Sequence, residues 1–303
     1  MKKIVIAAGT GFLGKVLIRH FREKTDEIVI LTRGNNKAVD NIRYVTWDAR
    51  TLGLWTAELE GADVLINLAG RSVDCRYTPA NRHEILASRI ESTSVLNRAV
   101  LQCTNPPKHW LNSSTATIYR HSEDKQMDEA NGEIGSDFSM DVAKAWERTF
   151  FDTETPLTIK TALRTSIVLG REGGAFPALL RLAKLGSGGR QGNGRQFISW
   201  IHEEDFARAV EFIIKMKLEG VLNVVAPEPV HNADFMATLR KIGKVPFGVP
   251  MPEWLLKAGA AIIGTETELV LKSRNVIPAR LIELGYTFKY SNLQSTFTKL
   301  ISH

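Results

Sequence analysis

Residues 3–14 read KIVIAAGTGFLG. The first six, Lys3 to Ala8, form a short, β-branched apolar run, the composition of a strand buried on both faces of a parallel sheet. Gly9-Thr10-Gly11-Phe12-Leu13-Gly14 then matches G-x-G-x-x-G, and apolar residues at helical spacing follow through Leu17, Ile18 and Phe21. A glycine corner between a strand and a helix lets backbone N–H groups reach a pyrophosphate, and the helix N-terminus adds partial positive charge. A ligand-free glycine turn is the competing reading. Its position at the first turn of an alternating chain favours the dinucleotide.

Outward from this corner, strand and helix patterns alternate. Strands are predicted at Glu27–Thr32, Ile42–Trp47, Asp63–Asn67, Trp110–Ser114 and Leu157–Leu169, and helices at Pro79–Cys103 and Ser136–Phe151. That rhythm predicts an α/β fold, a Rossmann-type doubly wound parallel sheet. Glu203–Lys217 reads as a further helix and Val221–Ala226 as a strand. From His231 the pattern is helical and broken by prolines, which predicts a smaller, mostly helical substrate domain. The expected division is 1–170 for the dinucleotide domain, with 196–228 returning to it, and 171–195 plus 229–303 for the smaller one. The stretch 173–195 crowds seven glycines with Arg181, Lys184, Arg190 and Arg195. It reads either as a mobile surface loop or as a lid over an anionic ligand.

The second strand selects the dinucleotide. NAD binders place a carboxylate there for the ribose 2′-hydroxyl. Here the strand ends Leu31-Thr32-Arg33-Gly34, with Lys37 beyond. A guanidinium suits a 2′-phosphate, so NADP(H) is preferred over NAD(H); a solvated arginine is the plain alternative. Asp48 is placed to accept from the adenine amino group, and Leu68-Ala69-Gly70 to floor the cofactor. Either is also ordinary turn chemistry.

The bulk numbers exclude several classes. The 303 residues carry a formal charge of +6 without a compact basic run, which gives no nucleic-acid signature. Two cysteines without CxxC make neither a disulfide framework nor a zinc ribbon, and no metal is expected. No apolar run approaches a membrane span. The expectation is a cytoplasmic monomer or homodimer whose partner is a small-molecule substrate, with no nucleic acid and no membrane.

The stretches AGTGFLG (8–14), LTRG (31–34), INLAGRSV (66–73), SRIEST (88–93), KAWE (144–147) and RTSIVLGREGGAFP (164–177) carry a family resemblance, continued by 185–212, 223–236 and 272–286. The chain resembles the atypical and extended short-chain dehydrogenase/reductase superfamily, in its NAD(P)-dependent epimerase-family branch with a small C-terminal domain. That resemblance implies a Rossmann domain with NADP(H) in the cleft. It places Gly11, Phe12, Leu13 and Gly14 at the pyrophosphate, Thr32 and Arg33 at the 2′-phosphate, and Leu68 and Ala69 along the adenosine. Glu84 and Arg89 on the long helix would approach the cofactor, and Ile167 would meet the carboxamide through its backbone. One departure stands out: members usually show G-x-x-G-x-x-G, and the first glycine is Ala8 here.

Catalysis is less legible. Ser113 to Tyr119 resembles the stretch bearing the hydroxyl residue of sugar-nucleotide epimerases, which puts Thr115 in that role. The tyrosine and lysine of the usual proton-transfer dyad fall on Ser139 and Ala143, which cannot replace them. Tyr119, Arg89 and His202 are the candidate substitutes: an acid, an oxyanion or anion holder, and a proton carrier near neutral pH. Two readings follow. One is an oxidoreductase or epimerase acting on a small carbonyl, hydroxyl or sugar-nucleotide-like substrate. The other is a non-catalytic NADP(H)-dependent binding or regulatory protein.

Overall fold

The protein is described by a computed structural model covering residues 1–263 and 266–302, so 264, 265 and 303 of the expected smaller domain lie outside the described residues. The strand starting at Lys3 is β1 (Lys3–Ala7), and Ile4 to Ala7 have no exposed surface. It sits at the middle of an eight-stranded sheet of order β11-β7-β6-β5-β1-β2-β4-β3. The partners are β2 (Glu27–Thr32), β3 (Lys37–Val39), β4 (Ile42–Thr46), β5 (Val64–Asn67), β6 (His109–Thr115), β7 (Ile159–Thr165) and β11 (Gly220–Val224). All pair in parallel except β3, which runs antiparallel at the edge. The strand order reverses at β1, and ligand crevices open outside the carboxyl ends of strands at such a point.

Side-chain alternation assigns the two faces. Ile4 and Ile6 pack with Leu17 and Phe21 of α1 (Phe12–Phe21) and with Phe206, Val210 and Ile213 of α5 (Glu203–Lys215). Val5 and Ala7 pack on the other side, with Val95 and Leu96 of α2 (Pro79–Gln102) and Phe150 of α3 (Phe138–Phe151). Each such aliphatic side chain contributes about 1.5–3 kcal/mol when fully buried. The helices start where the sequence provides caps. Thr78 accepts from Asn81 N ahead of Pro79, and Asp137 accepts from Met140 N.

The single strand expected over Leu157–Leu169 is two. The chain bends at Ser166, and β8 (Ile167–Leu169) leaves the main sheet to pair with β10 (Trp200–His202). A further pair joins β9 (Phe197–Ile198) to β12 (Val230–His231). These short pairs lead into the smaller domain. The helices beyond the main sheet are α4 (Phe176–Leu182), α6 (Asn232–Ile242), α7 (Glu253–Ile263), α8 (Glu268–Leu271) and α10 (Leu293–Ile301), whereas α9 (Ala279–Glu283) puts Leu281 into the core on the α1 and α5 side of the sheet. Phe176, Trp200, Phe235 and Phe297 form the smaller domain's core.

In and just before the glycine-rich stretch, several glycines are required by packing. A Cβ on Gly170 or Gly173 would lie 2.4 Å from the Phe12 ring, and one on Gly189 would lie 2.3 Å from Val249 O. These glycines are positions of close approach. The first two let the segment after β8 wrap the Phe12 side chain at the start of α1.

Candidate functional site

The corner after β1 has the features of a phosphate cradle. A Cβ at Gly14 would sit 2.0 Å from Gly9 O, so the helix can start this close to the turn only with glycine there. Around Gly11 a Cβ would meet nothing within 4 Å, which leaves that backbone open. No side chain caps α1 and its first turn has no acidic residue, so its leading N–H groups remain for an anion. Thr10 and Gly11 are exposed, and Phe12 and Leu13 half-buried, at this corner. The fit to a dinucleotide pyrophosphate is therefore good.

Ala8, where the family pattern has glycine, has φ +57°. It is held there by Ala8 N donating to Leu31 O (2.9 Å). Left-handed backbone costs an L-residue about 1–2 kcal/mol, which is the reason for glycine at that position.

One strand over, β2 ends without a carboxylate. Thr32 is nearly buried, and its Oγ1 accepts from Gly34 N (3.1 Å). The Arg33 side chain is exposed and has no hydrogen-bond or ion-pair partner among the described residues. Arg33 lines a groove of about 1010 Å³ with Lys37, Asn36 and Asp48. Asp48 is committed to its own turn: it accepts from Arg50 N, Thr51 N and Thr51 Oγ1. These bonds, from Thr51 first, hold its carboxyl down at about 2. The adenine role expected of Asp48 has to compete with those contacts.

At the end of β5, Asn67 is fully buried; its Oδ1 accepts from Ala69 N (3.0 Å), and its Nδ2 donates to Asn112 Oδ1 (2.7 Å). This fixes the Leu68-Ala69-Gly70 floor. Glu84 is exposed and pairs with Arg71, just beyond that floor. Arg89 lies against Gly70, where a Cβ would stand 3.2 Å from its Cζ. Its Nη1 donates to Ile85 O (2.8 Å) and Arg71 O (3.1 Å), and its guanidinium lies 5.0 Å from the centre of the Trp146 ring. Arg89 has no carboxylate partner among the described residues, and burial pulls it down to about 10. Such a cation at the floor's edge suits an anionic group. Ile167 is half-buried at the start of β8, paired with Trp200.

Two of the four catalytic candidates have structural partners instead of an open cleft. Tyr119 is fully buried; its hydroxyl donates to Asn223 Oδ1 (3.0 Å) and accepts from Arg164 Nη1 (2.8 Å). Arg164 in turn forms two bonds with Glu147, at 2.8 and 2.7 Å, and Ser114 Oγ donates to the same carboxylate. The KAWE and RTSIVLG motifs thus meet in one buried network beneath the cleft, and Tyr119 belongs to it. His202 is the N-cap of α5: its Nδ1 accepts from Glu204 N (3.0 Å) and its ring stacks on Tyr290 at 3.9 Å. It lines a separate cavity of about 540 Å³ with Val16, Arg19 and Lys299, and burial lowers it to about 4. Burial and capping favour the neutral ring, which argues against a proton carrier near pH 7. Thr115 ends β6 and accepts from Thr117 N (3.1 Å), which leaves its hydroxyl proton available.

The residues missed by sequence reasoning gather around Ser139. The Tyr77 ring packs edge-on against Phe138, the residue before Ser139, with ring centres 4.9 Å apart, and burial raises its phenol above the usual value. The Arg89 guanidinium lies within electrostatic reach of Tyr77, and that of Arg274 is influenced first by burial, then by Glu268 and Asp137, and least by Tyr77. Arg274 donates weakly to Ser273 O and has no carboxylate within ion-pair distance among the described residues. Ser139 also donates to Glu268, and Lys272 pairs with Asp137 and with Glu268. Glu266 accepts from Tyr77 N (2.8 Å). The tail therefore ties down both the Tyr77 loop and the start of α3. Only the family spacing, which puts the absent tyrosine at Ser139, pointed to this spot.

A model of the NAD dependent epimerase/dehydratase family matches residues 4–225, nearly three quarters of the chain. The chain belongs to that family. A second model, a domain of unknown function, matches residues 251–300. The Bacillus subtilis epimerase family protein YfhF is 32% identical over 99% of this chain and 98% of its own length. The chloroplastic SDR39U1 homolog of Arabidopsis thaliana is 28% identical, over 98% of this chain and 86% of its own. Among solved structures, the human epimerase family protein SDR39U1 (isoform2) with NADPH superposes with a TM-score of 0.87, at 28% identity over 98% of both chains. The Rossmann-like fold with a helical C-terminal region is thus shared with that structure. This family member is a nucleotide-binding epimerase family protein of the NAD(P) type.

Proposed function

We propose that this epimerase family protein is an NADP(H)-dependent oxidoreductase acting on a small carbonyl or hydroxyl compound, with Tyr77 as its proton-transfer group. The observation carrying the reading is the packing of the Tyr77 ring on Phe138, the residue next to Ser139 (ring centres 4.9 Å apart). It brings a phenol to the position where the family resemblance expects one, although the phenol comes from a different segment. A nicotinamide bound at the glycine corner would supply or accept hydride. Tyr77 gives or takes the proton at the substrate oxygen, and Thr115 offers that oxygen a further hydrogen bond. Arg89, without a carboxylate partner among the described residues, favours a substrate that carries an anionic group.

The preference for NADP(H) is supported by Arg33, and a human relative solved with NADPH is in keeping with it. Arg33→Ala should weaken NADPH by about 2 kcal/mol, roughly thirtyfold, the loss of a charged hydrogen bond. NADH should bind about as before. Calorimetry with both dinucleotides, followed by nicotinamide turnover across a carbonyl panel that includes acids, tests the two halves separately. Equal weakening of both dinucleotides removes the phosphate argument.

A second reading has its own observation. The Ser139–Glu268 bond and the Lys272–Asp137 pair engage polar groups that a substrate would otherwise meet. A non-catalytic NADP(H)-dependent binding or regulatory protein is consistent with that closure, and it predicts NADPH binding with no turnover on any panel member.

A further inference from the structure

The smaller domain has a surface that the cofactor cleft does not use. Residues 176–195 and 236–257 contain eight basic side chains and one acidic, Glu253, which pairs with Lys257. Their surplus of seven exceeds the whole chain's formal charge of +6, so the remainder is slightly acidic. Arg181, Lys184, Lys241 and Lys244 have no ion-pair partner among the described residues.

Large apolar side chains stand out on the same two segments. Leu185 is 74% exposed, Phe247 66% and Trp254 70%. Leu185, Phe247, Val249 and Leu255 share one groove with Lys184, and Val249 N donates to Gly186 O (2.8 Å) to hold the two segments together. Leu182, one turn before Leu185, extends the patch. Helix α7 adds to it: its sequence EWLLKAGAAII has a single acid and a single base. A helix this apolar is normally buried, yet Trp254 and Ala258 face solvent. At 11 residues it is too short to cross a bilayer, and no helix among the described residues is long and apolar enough to do so.

We propose that this face docks the protein peripherally on an anionic lipid bilayer, with α7 and the Leu185–Phe247 groove lying in the headgroup layer. Tryptophan, phenylalanine and leucine flanked by lysine and arginine are the side chains that layer accepts. Each basic residue near an anionic surface contributes about 1 kcal/mol. Charge decides against a second copy across a two-fold axis, because its basic rim would face its own image. It also departs from the expectation of no membrane partner, which rested only on the lack of a spanning segment.

The test uses the full chain and vesicles of phosphatidylcholine, alone or with about a third phosphatidylglycerol, in a sedimentation assay. Binding is expected only with phosphatidylglycerol and should fall as salt is raised. Phe247→Ala with Trp254→Ala, and separately Lys241→Glu with Lys244→Glu, should each weaken it about tenfold or more. These side chains are exposed, so folding is preserved and is checked by circular dichroism. Lys217→Glu, on the Rossmann domain, should leave binding unchanged. Equal pelleting with neutral vesicles, no pelleting at all, or variants that pellet like the parent would each overturn the proposal. So would loss of self-association, or of polyglutamate binding, in the same variants without any vesicle binding.

Discussion

Between Ala8 and Gly14 the backbone itself makes the binding surface, whereas around Ser139 side chains from the loop before α2, the start of α3 and the C-terminal tail make it together. The first region depends on where N–H groups point and on the lack of a Cβ at Gly14. The second depends on long-range packing that sets Tyr77 against Phe138 and Glu268 on the Ser139 hydroxyl. A local site needs only the residues of one corner and is retained as a motif. A composite site can exchange its reacting group for one from another segment, which is the role proposed for the phenol of Tyr77.

The largest effect that would sharpen this contrast is at the composite end. Tyr77→Phe should lower turnover about a hundredfold or more while leaving NADPH affinity about unchanged, since the phenol belongs to proton transfer and the cofactor is held elsewhere. Steady-state kinetics beside calorimetry separates the two. Turnover equal to the parent's would move proton transfer away from Tyr77 and leave Thr115 as the hydroxyl to test.

The same contrast explains what was legible in the sequence. The strands, the order of the α/β alternation and the glycine corner follow from short-range patterns: β-branched runs, Pro79 behind the Thr78 cap, glycine spacing. Ser166 hid a bend inside an apolar run, because a split strand and a continuous one have the same hydrophobicity. Tyr119 and His202 were read as chemistry because a phenol and an imidazole look reactive in one dimension. Their hydrogen bonds to Asn223, Arg164 and Glu204 depend on tertiary neighbours. Tyr77 left no signal, because nothing local distinguishes a loop tyrosine that reaches α3 from one in solvent.

A smaller effect decides whether His202 is structural, as a cap, or chemical. His109 and His202 are both held by burial at about 4, below their ordinary 6.5. The fold favours their neutral forms, so their contribution is full above about pH 6.5 and is lost as pH falls towards 4, while the unfolded chain takes up protons. Each should add about 1.4 kcal/mol per pH unit to the slope. His202→Asn keeps an acceptor for Glu204 N and removes one titrating group, while His109 and His20, also lowered by burial, remain. Urea unfolding at about pH 6 and 5 should show the slope reduced by about 1 kcal/mol per pH unit, with an unchanged pH profile of turnover. A shifted turnover profile would restore His202 to the chemistry.

The smallest effect lies back at the local end, at the one place where the corner departs from its family pattern. Ala8 holds φ +57° with its methyl half-buried beside the β2–β5 side of the sheet. Ala8→Gly relieves about 1–2 kcal/mol of left-handed strain. It also gives up part of a methyl's burial and adds about 0.5–1 kcal/mol of unfolded-state entropy. The strain is the larger quantity, so the variant should be more stable by about 0.5 kcal/mol, with NADPH affinity about unchanged, since the N–H groups of Gly11 to Gly14 do not move. Thermal unfolding against the parent reads the sign. A destabilised variant would mean that the methyl's packing outweighs the backbone strain, and that this corner, like the one around Ser139, depends on its side chains as much as on its backbone.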